Sequence, residues 1–167
     1  MDDAQEYLER YLKEQGSAPT MANSQQARTR SHRLAAVHQN LASIAYEKGH
    51  PETAIHHFEE ALTFRPGHVP VVNNLAWLLA TIPDASLHEG ERAIELATEV
   101  CRASGNKEPQ FLDTLAAAYA EAGKFAEATE TTLKALELAQ HQGKQDLAAE
   151  LRRRLIAYEA HRPVREF

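Results

Sequence analysis

The sequence predicts an all-α protein in which short helical hairpins follow one another along the chain as a solenoid. Three observations carry this. Hydrophobic residues make up 43% of the 167 positions and aromatics only 7%, while mean hydropathy is −0.50. The apolar fraction is therefore mostly small, with alanine dominant, and a core has to come from close backbone approach more than from large side chains. Seven glycines and seven prolines punctuate blocks of Ala, Leu, Glu, Gln, Lys and Arg, and these blocks lack the β-branched alternation of strands. Finally, Leu41 and Ala42 recur as Leu75 and Ala76 after one period of 34 residues, the spacing of a repeat architecture.

The elements follow in order. Residues 2–15 alternate charge with Ala4, Leu8, Tyr11 and Leu12 at helical spacing, which predicts a helix standing as half of a hairpin. Residues 16–30 read as a polar linker, although nothing after Met21 breaks a helix and the stretch can extend the next one. Three units follow, at about 35–68, 69–108 and 109–142. Small residues at Ala42, Ala76 and Ala116, and at Ala54, Ala93 and Ala128, let paired helices approach closely, while Leu41, Leu75, Leu115 and Phe58 fill the remaining space. Pro51, Pro70 and Pro109 suit first helical turns, and Gly49, Gly105, Gly123 and Gly143 suit the turns that end helices. The second unit carries an insertion at 83–88, after which Ser86-Leu87-His88-Glu89 reads as a capping box. Residues 144–167 give a final amphipathic capping helix and tail, with Leu147, Leu151, Leu155 and Tyr158 on one face and the arginines on another.

These offsets carry a resemblance. Leu41, Ala42, Gly49, Ala54, Phe58, Ala61 and Pro66 match the tetratricopeptide repeat, as do Leu75, Ala76, Ala93, Ala97 and Val100, and then Leu112, Leu115, Ala116, Tyr119, Gly123, Ala128 and Ala135. Thr132 and Gln140 depart from the pattern in the third unit, where the family has an aromatic and a proline. The resemblance implies a right-handed α-solenoid of about three hairpins. The run Asn73–Thr81 with Pro83-Asp84 and Gly90–Ala93, and the closing Tyr158, Arg162-Pro163 and Arg165-Glu166, also resemble a subtype found near the C-terminal ends of large bacterial tetratricopeptide proteins. On that reading the chain is a segment of a longer one.

Composition narrows the function classes. The longest apolar run, Leu75–Ala80, is far short of the roughly 20 residues of a membrane span, and the acidic, polar start is no secretory signal. The expectation is a soluble cytoplasmic protein, with the periplasm open if the chain is a fragment. A net charge of −6 argues against nucleic acid, and Arg28, Arg30, Arg33, Arg152–Arg154, Arg162 and Arg165 read as solvated helix faces. The single cysteine, Cys101, excludes a disulfide framework and reads as a small buried residue. No phosphate loop, nucleophile elbow or zinc-protease motif occurs. Of nine histidines, the densest group is His56-His57 beside Glu59 and Glu60, but adjacent helical residues point about 100° apart. No enzyme, cofactor or metal is expected, and these histidines read as solvated or half-buried.

The resemblance also implies where a ligand sits, because the first helices of successive repeats line a groove that takes a peptide or a partner helix. Carried over by position, the groove residues are Gln39, Asn40, Ser43, Tyr46 and Glu47 in the first unit and Asn73, Asn74, Trp77 and Thr81 in the second. The third unit gives Gln110, Asp113, Thr114, Ala117 and Glu121. Asn40 and Asn74 lie one period apart and can form a ladder along a peptide backbone or bond between helices. Trp77 can anchor a ligand or pack beneath the insertion. The clamp that binds acidic chaperone tails needs cations where this chain has Gln39, Gln110 and Thr114, and Glu47, Asp113 and Glu121 add negative charge. The expected function is a noncatalytic interaction scaffold preferring polar, neutral or basic segments. The alternatives are an accessory region of a larger glycosyl or sulfo transferase, and a module that self-associates through its terminal helices.

Overall fold

The structure, a computed structural model, describes residues 2–16, 24–84 and 89–165. Among them are eight helices and no strand: α1 Asp2–Gly16, α2 Ser24–Glu47, α3 Pro51–Phe64, α4 Val69–Thr81, α5 Gly90–Ala103, α6 Pro109–Glu121, α7 Phe125–His141 and α8 Gln145–Glu159. The all-α fold is thus a succession of helical hairpins of solenoid type. The chain divides into two compact units, residues 1–71 and 72–167.

In the first unit α2 and α3 pair as a hairpin. Leu34, Ala35, Leu41, Ala42 and Ala45 form one buried stripe, and Ala54, Phe58 and Ala61 form the facing one. Alanine methyls bring the backbones together and Phe58 fills the width that they leave. The turn closes when the N–H of His50 donates to the Ala45 carbonyl at 2.9 Å, around Gly49 at φ 72. Pro51 opens α3, where its missing N–H costs nothing. α1 lies against α2, with Lys48 Nζ donating to Gln5 Oε1 at 2.8 Å. Ser24–Arg30, expected in the polar linker, are instead the first turns of α2, since no proline or glycine interrupts the run from Met21 to Lys48. The rest of that linker, 17–23, lies outside the described residues.

One polar pair sits inside this hairpin. His38 is buried and stacks on Phe64 with ring centroids 5.6 Å apart, and its Nδ1 lies 3.1 Å from His57 Nδ1. One ring must donate and the other accept, so the contact requires that at least one imidazole be neutral. Burial is the main reason that both histidines are held below the ordinary value. For His38, Glu60 opposes this and His56 adds to it; for His57, His38 and His56 add while Glu9 and Glu60 oppose.

The second unit contains the rest of α4 and the helices α5 to α8, with α6 packed between α5 and α7 and α8 against α7. Its core is nearly all alanine at the closest contacts: Ala76, Ala93, Ala97, Ala116, Ala128, Ala135, Ala139 and Ala148. Leu75, Leu79, Val100, Leu151 and Tyr158 occupy the wider spaces. Three helix ends here close as the first hairpin does, with Asn106, Lys124 and Lys144 each donating to the carbonyl five residues back at 2.8 Å. Gly105, Gly123 and Gly143 supply the left-handed residue of those turns. α8 ends in the same bond, from Arg162 to Ala157 at 2.9 Å, but the left-handed position is His161 at φ 54. α5 starts at Gly90 with Glu89 as its N-cap and no side-chain cap bond; Ser86, Leu87 and His88 of the expected capping box lie outside the described residues.

Gly90 marks the closest approach in this unit. A Cβ placed there would lie 3.0 Å from the Ala122 backbone nitrogen and 3.2 Å from its Cα. Backbone cannot rotate away, so Gly90→Ala should lower stability by about 1–3 kcal/mol, read as a drop in the denaturant midpoint. Unchanged stability would show that the α5 start yields freely. The histidine pair gives a pH dependence. In the unfolded chain these rings protonate below about pH 6.5, while in the folded one they stay neutral to lower pH. The stability they contribute is therefore complete above pH 6.5 and falls as pH drops towards the lowered folded values. Melting curves between pH 7.5 and 5 should show a decline that is shallower in His57→Leu; equal slopes would remove the pair as its cause.

Candidate functional site

The first helices of the second unit are α4 and α6, and α8 continues the alternation. Their side chains meet around Trp77. This ring is half-buried, and the Arg154 guanidinium of α8 lies over it with Cζ 4.7 Å from the centroid. The same guanidinium pairs with Asp113 of α6 and, at 3.4 Å, with Glu150 one turn back on α8. The side chains of Arg154 and Asp113 are only 12% and 6% accessible, so this ion pair is taken almost wholly out of water. An aromatic face, a carboxylate and a guanidinium from three helices are thereby locked into one cluster.

A second acidic position on α6 is met in the same way. Glu121 is 5% accessible and pairs with Arg165, from the segment that follows α8. At the opposite end of α6, Lys144 Nζ donates to Gln110 Oε1 at 3.0 Å and pairs with Glu108 at 3.3 Å. Two of the three negative charges expected on the groove, Asp113 and Glu121, are thus neutralised within the molecule, leaving Glu47 exposed on α2.

The remaining candidates divide by exposure. Asn40 and Asn74 are exposed, each in its own unit, as is Gln110; Gln39, Ser43, Tyr46 and Asn73 are half-buried. Ser43 Oγ donates to the Gln39 carbonyl at 3.2 Å. Asn73 turns its carboxamide oxygen inward. Thr81, Thr114 and Ala117 do not line an open face, because all three are buried. The hydroxyls of Thr81 and Thr114 bond to the carbonyls of Trp77 and Gln110, four residues back, at 2.9 and 3.2 Å. A polar residue at these helix positions thus meets its need locally and packs like valine.

Arg154 and Arg165 are the site residues that sequence reasoning passed over. The arginines had been set on a face of α8 away from its apolar stripe, yet Arg154 lies three residues after Leu151 and four before Tyr158, both fully buried. A cation at such a position signals a buried carboxylate, and the pairing with Asp113 is that signal's meaning. A cleft of about 760 Å³ was also not foreseen. It opens between α6 and α7, with Leu112, Leu115, Tyr119 and Leu138 among its walls and Lys134 and His141 at its polar edge. Cys101 is buried, and burial pushes its thiol up to about 11, far from a nucleophile's range. Among the described residues no three His, Cys, Asp or Glu side chains are placed to hold a metal ion, and no helix is long and apolar enough to cross a membrane.

Removing one partner of the Arg154–Asp113 pair strands the other charge in the interior. Arg154→Ala should therefore cost about 3–5 kcal/mol, and the Asp113→Ala/Arg154→Ala double variant should cost less than the sum of the two singles. Additive losses in urea titrations would show that the two charges are independently solvated.

Residues 35–68 match the family model described as tetratricopeptide repeat, the segment whose α2–α3 hairpin carries Ala42, Ala54, Phe58 and Ala61 at its contact. No curated protein matches the chain. Such repeats are typically noncatalytic and serve protein–protein interaction. The matched segment, residues 35–68 in the first unit, is thus a tetratricopeptide repeat, and alanine-lined helices recur in the second unit.

Proposed function

We propose that this protein is a noncatalytic scaffold that holds an extended segment of a protein partner against its first-helix faces, with the Trp77–Arg154 cluster as the fixed centre of the site in the second unit. The observation that carries this is the cluster itself. A half-exposed indole, clamped on one face by a guanidinium that is itself held by a buried carboxylate, is rigid before any partner arrives. A preformed aromatic surface loses little entropy on binding, which is the character of an interface anchor. Exposed carboxamides at Asn74 and Gln110 supply donors and acceptors for a peptide backbone without adding charge.

The neutralisation of Asp113 and Glu121 refines the ligand preference. With those carboxylates already paired, the second unit offers polar and aromatic recognition more than a field attracting dense positive charge. The partner segment is accordingly neutral or lightly charged, with an apolar or planar group to lie beside Trp77.

A displayed-peptide selection on the full chain tests this. Peptides recovered on the wild type should lose affinity by about tenfold on an Asn74→Ala/Gln110→Ala variant, whose melting temperature should fall little, because both side chains are exposed and only the surface bond of Gln110 to Lys144 is lost. They should lose it more strongly on Trp77→Ala, which should itself cost about 1–2 kcal/mol of stability through the lost guanidinium contact. Peptides that bind all three proteins equally would place the interaction elsewhere.

A further inference from the structure

The segment after α8 shows what one part of the α6 face binds. Once α8 ends at Glu159, the chain reverses through His161 and residues 162–165 run back without regular structure. Val164 packs into the cluster of Ala116, Ala120, Ala128, Tyr119 and Tyr158, and Arg165 pairs with the buried carboxylate of Glu121. Glu121 is a position where the repeat family presents its groove. A branched apolar residue followed by an arginine thus sits on a shallow apolar seat with a carboxylate at its end.

Two features mark the occupant as held in place rather than built in. The first is the reversal. His161 takes φ 54, in a turn whose counterparts at Gly49, Gly105, Gly123 and Gly143 all use glycine. A side chain there is strained, and this one is held by stacking flat on Phe125, with ring centroids 5.0 Å apart and planes 1° from parallel. The second is the fit. An open depression of about 310 Å³ lies between α8 and the segment, lined by Glu150, Arg153, Arg154, Ala157, Val164 and Arg165. The occupant is open to solvent along this side, and Arg165 keeps a third of its side chain in solvent.

We infer that residues 162–165 are an intramolecular ligand, and that the seat they cover on α6 and α8 receives a partner segment in which a branched apolar residue precedes an arginine. The inference rests on reading the α6 face as a ligand-binding surface. A partner competes with a tethered copy of its own motif, so it must outmatch an effective concentration in the millimolar range. Displacement frees His161 from its strained conformation and re-forms the ion pair of Glu121 with the partner's guanidinium. The seat is thereby closed to weak ligands and open to tight ones.

The test uses the full chain and an acetylated, amidated peptide with the sequence of residues 160–165. Amide chemical shifts of Glu121, Gly123 and Phe125 report binding. A Val164→Ser/Arg165→Ala variant should bind the peptide about tenfold more tightly than the wild type. Adding Glu121→Gln, or replacing the peptide's final arginine with glutamate, should abolish binding. If that double variant does not fold, Arg165→Gln alone serves, since it keeps Val164 in place. Equal binding by wild type and opened protein, or no binding by the opened protein, would overturn the inference, as would indifference to Glu121→Gln. Wild-type dimers in sedimentation equilibrium that dissociate on Arg165→Gln would assign the seat to a second copy and overturn it too. If the 160–165 peptide fails while displayed peptides still depend on Asn74 and Gln110, only this inference falls.

Discussion

Two helices can approach within backbone contact only where neither side chain at the crossing is larger than a methyl group, and in this protein nearly every deep contact obeys that limit. Ala42 and Ala54 in the first unit, and Ala76, Ala93, Ala116, Ala128, Ala135 and Ala148 in the second, are wholly buried. Gly90 against Ala122 carries the limit to its end, since even a methyl would meet backbone. Close approach maximises dispersion contact per residue, but it buries little apolar area per side chain, so hydrophobic transfer alone is a thin source of stability. The polar features of the interior follow from this. Where the helices stand too near for large residues, threonines enter and satisfy themselves on their own helix: Thr132 on Ala128 at 2.8 Å as Thr81 does on Trp77.

Burial of the ion pair has to be set against the same background. A salt bridge between Arg154 and Asp113 in the interior is not by itself a strong stabiliser, because desolvating both ions offsets much of their attraction. Its effect is on uniqueness. The guanidinium meets Asp113, Glu150 and the face of Trp77 at once, so α8, α6 and α4 are tied to one another by a directional group. Alanine stripes are smooth, and helices packed on them can shift along their axes at small cost. A directional contact among three helices supplies the register that the methyl groups cannot. This is why a charged residue lies on the buried side of α8, and why the same residue forms part of the proposed binding centre.

The hairpins were legible in the sequence because the close-contact rule leaves a periodic trace. An alanine at a crossing recurs one repeat later, and glycine marks the turns at 49, 105, 123 and 143, so the helix ends could be placed to within a few residues. Side-chain direction at the site was less legible. Position in a repeat assigned Thr81, Thr114 and Asp113 to an open face, but it could not tell that the two threonines would be buried, or that Arg154, over a hundred residues into the chain, would close on Asp113. Glu121 is the same case: its partner lies 44 positions away, outside any repeat. The His38–His57 contact was also hidden, since attention to neighbouring residues paired His57 with His56, while its hydrogen-bond partner stands on the other helix of the hairpin. Local pattern reports which faces are apolar; it does not report which polar groups on different helices will be opposite one another.

The segment after α8 brings these threads together. The outer side of α8 exposes Arg152 and Arg153. Ile156 remains 62% exposed there, so residues 162–165 do not serve to cover that face. The segment turns back towards α6 instead, through a left-handed residue at a position that the ends of α2, α5, α6 and α7 give to glycine. Ordinary capping would favour glycine at position 161 and leave Glu121 to solvent. The chain instead has a histidine that stacks on Phe125 and an arginine that closes on a buried carboxylate. Both choices work against the simplest turn and in favour of holding residues 162–165 against the α6 face. A contact kept at the expense of local backbone preference is one whose occupation matters.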